Sequence, residues 1–483
     1  MNGVDDVFID REVELAELRE LADRRGMPTI ALVYGRRRVG KTYLLDHAWP
    51  DRRVFYFVAA DATTDLNRSE LIRELTRWSG QSLNPVEYPT WRTVFRLLGD
   101  FAMEQPLIAV LDEFQYLMGE HDDIASQLVA IFNRELRGRS LLLVLSGSSI
   151  SMMEQLLHGS QPLFGRSGWK AKIGPFDYRD AARMVPDRPV REQALVYGIF
   201  GGTPRYLAAI RPGEALADVV MRTMLSPRGE VYLQLEYLIE QEKGIRKDAE
   251  YNSILAAIAD GELEVGKIVS RTGVEPDFVR MALKTLEELG YVWRERNFDA
   301  SRTAPYQYRI ADNALAFWFR FVHANRSRLG TGAIHEVWEH HVVPYLDAYM
   351  GKVFERMCHE AFTRYHGHWG LAGANGWARW EGRDCNRRPI EIDVEARLDD
   401  SRILTGEIKW SSKPSGPALY TDLTRDLEDL GRSGQGWAKD ALAADRSAGH
   451  IFVSAGGFAP EMTDLIASRA DVIGLTLNDL YGS

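Results

Sequence analysis

Residues 29–42 read TIALVYGRRRVGKT, a β-branched apolar run that leads into a basic loop bounded by glycines. The loop fits the pattern G-x-x-x-x-G-K-[ST] of a phosphate-binding loop (P-loop) between a strand and a helix. In such a loop, backbone N–H groups and the positive end of the helix surround phosphate oxygens. We therefore expect ATP to bind at the eight loop residues, Gly35, Arg36, Arg37, Arg38, Val39, Gly40, Lys41 and Thr42.

A second apolar run ends in the acids that nucleotide hydrolysis requires. Residues 107–111 read LIAVL and are followed by Asp112 and Glu113, the pattern of a Walker B strand. We expect Lys41 to bridge the β and γ phosphates, while Thr42 and Asp112 bind Mg²⁺. Glu113, one residue beyond the strand, is expected to act as the general base that polarises the attacking water.

A third strand, predicted over residues 141–146, ends beside the same crevice in a run of hydroxyl residues. Ser146 or Ser148 can sense the γ phosphate, whereas Ser149 fits the alternative role of a helix N-cap. Arg166 fits an arginine finger acting on this subunit or on a neighbouring one in a homo-oligomer. A surface arginine is the alternative for Arg166.

Composition bounds the class of protein. The chain has 483 residues, enough for about three domains, with 45% hydrophobic and 27% charged residues, which argues against membrane and disordered proteins. The formal net charge of −10 means that any contact with DNA requires a local basic face. Two cysteines, no signal pattern at the N-terminus and no apolar run near ~20 residues predict a cytoplasmic protein without a membrane partner.

The chain is predicted to be an α/β multidomain protein. Five strands, over residues 29–34, 54–59, 107–112, 141–146 and 169–173, alternate with helical patterns and predict a parallel sheet. Strand patterns then disappear, which predicts a helical lid. The predicted domains are residues 1–176 (P-loop core), 177–245 (lid), 246–323 (winged helix) and 324–483 (a second α/β domain).

Residues 251–310 have the pattern of a winged helix-turn-helix, with three helices and two short strands around a polar turn at 297–303. Basic side chains of its second helix-turn-helix element and wing offer a modest face for DNA phosphates, although Glu287 and Glu288 dilute it. A moving lid without DNA contact is the alternative. The basic residues are Arg280, Lys284, Arg294 and Arg296.

The last domain carries an acid on one predicted strand and a Glu-x-Lys pattern on the next. Glu407 and Lys409 are two residues apart in a strand and therefore face the same way, toward Asp393 on the neighbouring strand. Asp393 and Glu407 can bind Mg²⁺, Lys409 can stabilise a hydroxide or a pentavalent phosphate, and Glu355 on the preceding helix can add a ligand. A solvated ion pair on a fold without activity is the alternative.

Several motifs together resemble archaeal-type AAA+ ATPases of the signal-transduction (STAND) kind, which carry a C-terminal nuclease-like domain of unknown function. The resemblance rests on residues 8–12, 112–115, 147–149, 162–166 and 201–207. It implies an AAA+/ASCE P-loop core with a helical lid whose Gly-x-Pro element, Gly202 and Pro204 here, approaches the nucleotide. The Asp393, Glu407 and Lys409 pattern resembles the PD-(D/E)xK nuclease core, which implies a restriction-endonuclease-like fold.

Two functions follow from these expectations. The first is ATP hydrolysis coupled to DNA binding and to Mg²⁺-dependent DNA cleavage by the C-terminal domain. The alternative is a nucleotide-dependent molecular switch whose C-terminal domain lacks catalysis and binds a partner.

Overall fold

The structure is a computed structural model that describes residues 8–118, 124–157, 163, 167–242, 245 and 247–482. The chain divides into two compact units, one of residues 1–176 and 203–205 and one of residues 177–202 and 206–483. The division into four domains stays a prediction, since the last three predicted domains fall within the second unit apart from residues 203–205 of the predicted lid. Over the described ranges, no helix combines the length and apolar content of a membrane span.

The first unit is built on one parallel sheet. Its strands are β1 (Thr29–Tyr34), β2 (Val54–Val58), β3 (Leu107–Asp112), β4 (Leu141–Gly147) and β5 (Trp169–Lys172). They are ordered β2-β3-β4-β1-β5, and every neighbouring pair is parallel. β1, β3 and β4 are buried along their whole length, as continuous apolar runs predict. The predicted parallel α/β core is confirmed, and each strand end differs from the prediction by at most one residue.

Helices connect these strands and place three loops at one edge of the sheet. The helices are α1 (Glu12–Asp23), α2 (Lys41–Ala48), α3 (Thr64–Ser79), α4 (Trp91–Glu104), α5 (Ile124–Arg134) and α6 (Ile150–Gln155). β4 lies between β1 and β3, with Tyr34 paired to Gly147 and Leu111 paired to Leu145. The P-loop, Asp112 and Ser148 therefore leave the sheet side by side.

The second unit begins with helices and continues into a three-helix segment with a hairpin. The first helices are α7 (Tyr178–Arg183), α8 (Val190–Phe200), α9 (Pro204–Leu207), α10 (Leu216–Val220) and α11 (Glu230–Glu236), of which α9 begins with two residues that belong to the first unit. The next elements are α12 (Asp248–Ala259), α13 (Val265–Thr272), α14 (Pro276–Glu288) and the antiparallel strands β6 (Val292–Glu295) and β7 (Gln307–Ile310). Gly273 ends α13 with a φ of 69°, a left-handed conformation that glycine adopts without strain.

Four helices then lead to a mixed sheet. They are α15 (Asn313–Phe317), α16 (Arg326–Gly330), α17 (Ile334–Val337) and α18 (Val343–Tyr365), and π-helical turns follow α15 and α17. The sheet strands are β8 (Ala374–Arg383), β9 (Pro389–Leu398), β10 (Ile403–Lys409), β11 (Ser447–Ser454) and β12 (Val472–Thr476). The connecting helices are α19 (Ala418–Arg432), α20 (Gly436–Leu442) and α21 (Pro460–Ser468), and α22 (Leu477–Tyr481) follows β12.

The mixed sheet has the order β12-β11-β10-β9-β8, so β8 is an edge strand. β8, β9 and β10 are antiparallel neighbours, whereas β11 and β12 continue parallel to β10. Asp393 lies on β9, and Glu407 and Lys409 lie on the adjacent β10, as predicted. The core under this sheet includes Phe298, which comes from the turn between β6 and β7.

Candidate functional site

The P-loop is shaped by backbone conformations at its two ends. A Cβ atom at Gly35 would lie 2.0 Å from the carbonyl oxygen of Ile173, so that only glycine fits where the loop leaves β1. Gly40 has a φ of 94° and Arg38 a φ of 70°. These left-handed conformations turn the chain into α2, which begins at Lys41. The loop therefore directs the N-terminus of α2 toward its own interior.

Lys41 places a positive charge inside this loop. Its Nζ atom donates hydrogen bonds to the carbonyl oxygens of Gly35 and Arg36, both at 2.9 Å. The side chain is buried, with only 6% of its surface exposed. Phosphate oxygens are stronger acceptors for an ammonium group than neutral carbonyls, and Lys41 is therefore positioned to exchange one set of partners for the other.

Asp112 is held at the end of β3 by three donors. Its Oδ2 atom accepts hydrogen bonds from Thr42 Oγ1 at 3.3 Å and from Tyr56 Oη at 2.7 Å. Its Oδ1 atom accepts a hydrogen bond from the backbone N–H of Glu113 at 2.9 Å. Burial and the charge of Asp112 raise the pKa of Tyr56, so that this tyrosine remains a donor. Sequence reasoning placed Thr42 beside Asp112 but missed Tyr56, which reaches it from the neighbouring strand β2.

Two side chains hold Glu113. Ser148 follows β4, and Gln115 follows β3. Ser148 Oγ donates to Glu113 Oε2 at 2.7 Å, and Gln115 Nε2 contacts the same oxygen. Gln115 Nε2 also lies 3.1 Å from Ser148 Oγ. Glu113 itself has a φ of 52°, an uncommon left-handed conformation for a non-glycine residue that turns the chain just beyond the strand. Ser148 therefore links Glu113 to β4, and Gln115 is a second contact that the motif did not reveal.

The remaining predicted nucleotide residues have different positions. Pro204 lies near the P-loop, since its Cγ atom would be 3.9 Å from a Cβ atom at Gly40. Ser146 is fully buried and, within the described part of the chain, its hydroxyl has no hydrogen-bond partner. Ser149 precedes α6 without a side-chain cap hydrogen bond. Arg166 lies outside the described residues.

The second cluster joins β9 and β10. Lys409 Nζ lies 2.6 Å from Glu407 Oε2 and 3.4 Å from Asp393 Oδ2, and the backbone N–H of Ile408 donates to Asp393 Oδ2 at 2.9 Å. Burial and the charge of Asp393 raise the pKa of Glu407 to about 8. Burial disfavours the charged form of Lys409, but Asp393 and Glu407 outweigh it and raise the pKa of the lysine. The three residues form one electrostatic group.

Two more acids adjoin this group. Within the described residues, Glu355, Glu391 and Asp393 form the group with metal-ligand geometry, and their candidate oxygen atoms lie within 4.8 Å of one another. Burial and the charge of Asp393 raise the pKa of Glu355. Burial also acts to raise the pKa of Glu391, but Arg379 and Lys352 outweigh it and lower the pKa. Sequence reasoning included Glu355 but missed Glu391, which is two residues before Asp393.

The P-loop residues and the C-terminal acids fall in segments that match two different families. Residues 8–210 match the family model described as an ATPase domain predominantly from Archaea. This segment carries the P-loop, Asp112 and Glu113 at one edge of a parallel sheet. Over these residues the chain is similar to archaeal-type P-loop ATPase domains. Residues 318–418, which include the C-terminal acids and Lys409, match a family described as archaeal and bacterial proteins of unknown function.

Individual proteins resemble the ATPase domain and much of the remaining chain. An uncharacterized protein of Methanocaldococcus jannaschii is 28% identical over 446 residues, which cover 88% of this chain and 93% of that protein. The Walker-type ATPase of Pyrococcus abyssi has a TM-score of 0.49 at 23% identity, covering 65% of this chain and 96% of its own. The ORC2 protein of Aeropyrum pernix, in complexes with ADPNP and ADP, has a TM-score of 0.45 at 14% identity, covering 68% and 97%.

Downstream of the ATPase domain, the basic residues of α14 and of the β6–β7 hairpin lie close to acids. Arg280 pairs with Asp277 at 2.7 Å, Lys284 with Glu288 at 3.8 Å and Arg294 with Glu287 at 3.0 Å. The guanidinium groups of Arg294 and Arg296 lie over the ring of Tyr306, at 4.5 and 3.7 Å. These pairs reduce the net positive charge that the segment can offer to phosphates.

Because Thr42 and Asp112 are predicted to bind Mg²⁺, replacing Tyr56 is expected to raise the Mg²⁺ concentration that ATP hydrolysis requires. Tyr56→Phe removes the hydrogen bond to Asp112 Oδ2 but keeps the ring, so we expect ATP hydrolysis at limiting Mg²⁺ to fall about three- to tenfold, the effect of one hydrogen bond. The measurement is the Mg²⁺ concentration that gives half-maximal hydrolysis. Tyr88→Phe, elsewhere in the same unit, is the matched control. An unchanged Mg²⁺ requirement in Tyr56→Phe would show that Asp112 is positioned without it.

Proposed function

We propose that the protein couples ATP binding and hydrolysis in an AAA+-type domain to DNA binding and to Mg²⁺-dependent DNA cleavage at Asp393, Glu407 and Lys409. The observation that carries the cleavage site is the approach of Lys409 Nζ to both acids, 2.6 Å from Glu407 and 3.4 Å from Asp393. The AAA+ assignment is supported by β4, which lies between the P-loop strand and the Asp112 strand and ends beside Glu113.

In the proposed hydrolysis, each group of the ATPase domain has a distinct role. Lys41 leaves the carbonyl oxygens of Gly35 and Arg36 and binds the β and γ phosphates. Thr42 and Asp112 would hold Mg²⁺, which would neutralise phosphate charge. Glu113 accepts a proton from the attacking water, and Ser148, which contacts Glu113, reports the presence of the γ phosphate.

The C-terminal acids fit a hard divalent cation. Their donor atoms are all carboxylate oxygens, the ligands that Mg²⁺ and Mn²⁺ prefer. Glu407 is 7% exposed, and its raised pKa indicates that one proton resides among these acids when no cation compensates their charge. Asp393 and Glu407 would hold the ion, with Glu355 and Glu391 as further ligands, and the ion would stabilise charge on the scissile phosphate. Lys409 would stabilise the attacking hydroxide or the pentavalent phosphate.

The affinity of this site for Mn²⁺ is expected to rise with pH. A cation binds the deprotonated carboxylate, and Glu407 has a pKa of about 8, so binding below that pH must displace a proton. Affinity should increase by up to about tenfold per pH unit from about pH 6 to about pH 8, then level off. Calorimetric Mn²⁺ titrations at several pH values measure this slope. In Glu407→Gln the slope should disappear, and a slope that persists in that variant would assign the proton to another group.

Cleavage of supercoiled and linear DNA in Mg²⁺ or Mn²⁺, with and without ATP, tests the proposed function. We expect nicking that requires the cation and changes with ATP. ATP hydrolysis should in turn be stimulated by DNA and lose this stimulation as salt increases, since phosphate contacts release counterions. ATP hydrolysis without any cleavage, across both cations and both DNA forms, would overturn the nuclease part of the proposal.

The second candidate is a nucleotide-dependent switch with a partner-binding C-terminal domain. The observation that favours it is the pairing of Arg280, Lys284 and Arg294 with acids, which leaves little net charge for DNA. A switch should assemble with itself or a partner when ATP binds, with Arg166 acting across subunits in a homo-oligomer. Its hydrolysis should not respond to DNA. For either function we propose a cytoplasmic location, because both cysteines are free thiols in the structure.

A further inference from the structure

We propose that Arg379 is an internal counter-cation that competes with a divalent cation for Glu355 and Glu391, and that the turn between β6 and β7 holds it there. The inference rests on the proposed metal site, whose regulation it describes. It identifies a residue outside the Asp393, Glu407 and Lys409 group as the control on cation binding.

Arg379 lies on β8 with 8% of its surface exposed, and three acids surround its guanidinium group. Its Nη2 atom lies 2.6 Å from Glu391 Oε1 and 2.8 Å from Glu381 Oε2, and its Nη1 atom lies 3.8 Å from Glu355 Oε2. Glu355 and Glu391 also belong to the group of acids with metal-ligand geometry. The guanidinium charge therefore neutralises two of the oxygen groups that a bound cation would use.

The neighbouring lysine is a weaker competitor. Lys352 Nζ lies 3.5 Å from Glu355 and 3.3 Å from Glu391, but its side chain is 54% exposed. An exposed ammonium group is screened by water and can move away at little cost. Arg379 is enclosed, and burial increases the strength of its interaction with the same acids.

The turn between β6 and β7 fixes the backbone around Arg379. The N–H of Phe298 donates to the carbonyl oxygen of Arg379 at 2.9 Å. Asn297 Nδ2 donates to the carbonyl oxygen of Glu381 at 2.6 Å, and the N–H of Glu381 donates to Asn297 Oδ1 at 3.2 Å. Three hydrogen bonds therefore connect this turn to Arg379 and Glu381 of β8.

The side chain of Phe298 anchors the turn. It is 8% exposed and packs in the core under the mixed sheet, with its ring centroid 5.8 Å from that of Trp437. Asp299, the next residue, lies 3.5 Å from Arg397 on β9. Release of the hairpin from β8 would therefore remove a buried aromatic contact as well as the hydrogen bonds that hold Arg379.

A cavity beside Arg379 provides room for its displacement. It has a volume of about 490 Å³ and is lined on one side by Trp293, Glu295 and Arg309 of the hairpin. Glu355, Arg379 and Glu391 line it as well. Burial acts to lower the pKa of Arg379, but the charges of Glu391, Glu295, Glu355 and Glu381 outweigh it and raise the pKa. Glu295 also pairs with Arg309, and the cavity gives the Arg379 side chain space into which it can shift when a cation binds.

Mn²⁺ binding to the full chain, without nucleotide or DNA, tests the inference. Arg379→Gln should bind Mn²⁺ at least about fivefold more tightly than the wild type, which corresponds to a modest coupling between two competing cations. Arg379→Lys keeps a positive charge and should remain near the wild type. Arg383→Gln is the matched control. Arg383 lies on the same strand, its side chain contacts the carbonyl oxygen of Arg387, and the substitution should leave Mn²⁺ affinity unchanged. Asp393→Asn removes a proposed ligand, so the Mn²⁺ binding that is lost in this variant is the binding that belongs to this site.

A second variant tests the turn and guards against misfolding of Arg379→Gln. Asn297→Ala removes two hydrogen bonds made by a half-buried side chain, and we expect a smaller tightening of Mn²⁺ binding in it. Unchanged or weaker binding in both variants, with wild-type binding that depends on Asp393, would overturn the role of Arg379 and leave the metal site standing. Absence of Asp393-dependent Mn²⁺ binding in every variant would overturn the metal site itself and the inference with it.

Discussion

Lys41→Ala is expected to reduce ATP hydrolysis at least about 100-fold, because it removes the ammonium group that binds the transferring phosphoryl group. In the structure the Nζ atom of this lysine contacts the carbonyl oxygens of Gly35 and Arg36, which are neutral groups that do not need a charged partner. The measurement is steady-state release of phosphate from ATP.

Lys170→Ala is the matched control, since Lys170 lies on β5 of the same unit with an exposed side chain. We expect it to hydrolyse ATP at the wild-type rate. Thermal unfolding of both variants separates a local effect at the loop from loss of the fold. Hydrolysis within a few-fold of the wild type in a folded Lys41→Ala protein would contradict the assignment of the P-loop as the catalytic nucleotide site.

Asp393→Asn is expected to reduce DNA cleavage at least about 100-fold and to leave ATP hydrolysis unchanged. The amide keeps a side-chain oxygen that can accept the hydrogen bond from Ile408 N–H, so the junction of β9 and β10 should persist. What the substitution removes is the negative charge that a divalent cation needs. The measurement is the rate at which supercoiled DNA is nicked in Mg²⁺ and in Mn²⁺.

Asp400→Asn provides the comparison for this variant. Asp400 lies in the turn between β9 and β10, where it pairs with Arg402 at 2.8 Å and is exposed. Cleavage should be unaffected there. If Asp393→Asn and the wild type nick DNA equally, the activity arises elsewhere, and the C-terminal acids are a structural ion-pair network.

The core of the ATPase domain was predictable because its chemistry is local in sequence. Short apolar runs, residues 30–33 in β1 and 107–111 in β3, specify these buried parallel strands, and Asp112 and Glu113 follow the apolar part of β3 directly. Tyr56 and Gln115 were missed, since each acts through a contact that depends on strand order and loop conformation. Tyr56 lies in β2, where half-buried and buried residues alternate, and nothing in this pattern indicates its contact with Asp112.

The C-terminal domain was predicted less completely, for physical reasons that differ between its elements. Asp393 and the Glu407-x-Lys409 pattern lie on strands with apolar neighbours, and the strands were found. β12 was not predicted, because a five-residue strand interrupted by Gly474 has a weak pattern. Arg379 reads as an ordinary arginine in a strand, and only the fold brings Glu355 and Glu391 to it. Phe298 is an apolar residue within the polar turn at 297–303, and it is the sequence feature that indicates that this turn packs against the rest of the protein.

The same turn has a consequence for how the protein can be dissected. β8 is the edge of its sheet, and the turn occupies the outward-facing backbone groups of Arg379 and Glu381. An expressed fragment that begins after the hairpin would present a bare strand edge and an apolar gap where Phe298 packs, the combination that promotes strand-to-strand aggregation. A fragment that begins before α12 keeps this edge covered and is the one that we expect to remain monodisperse.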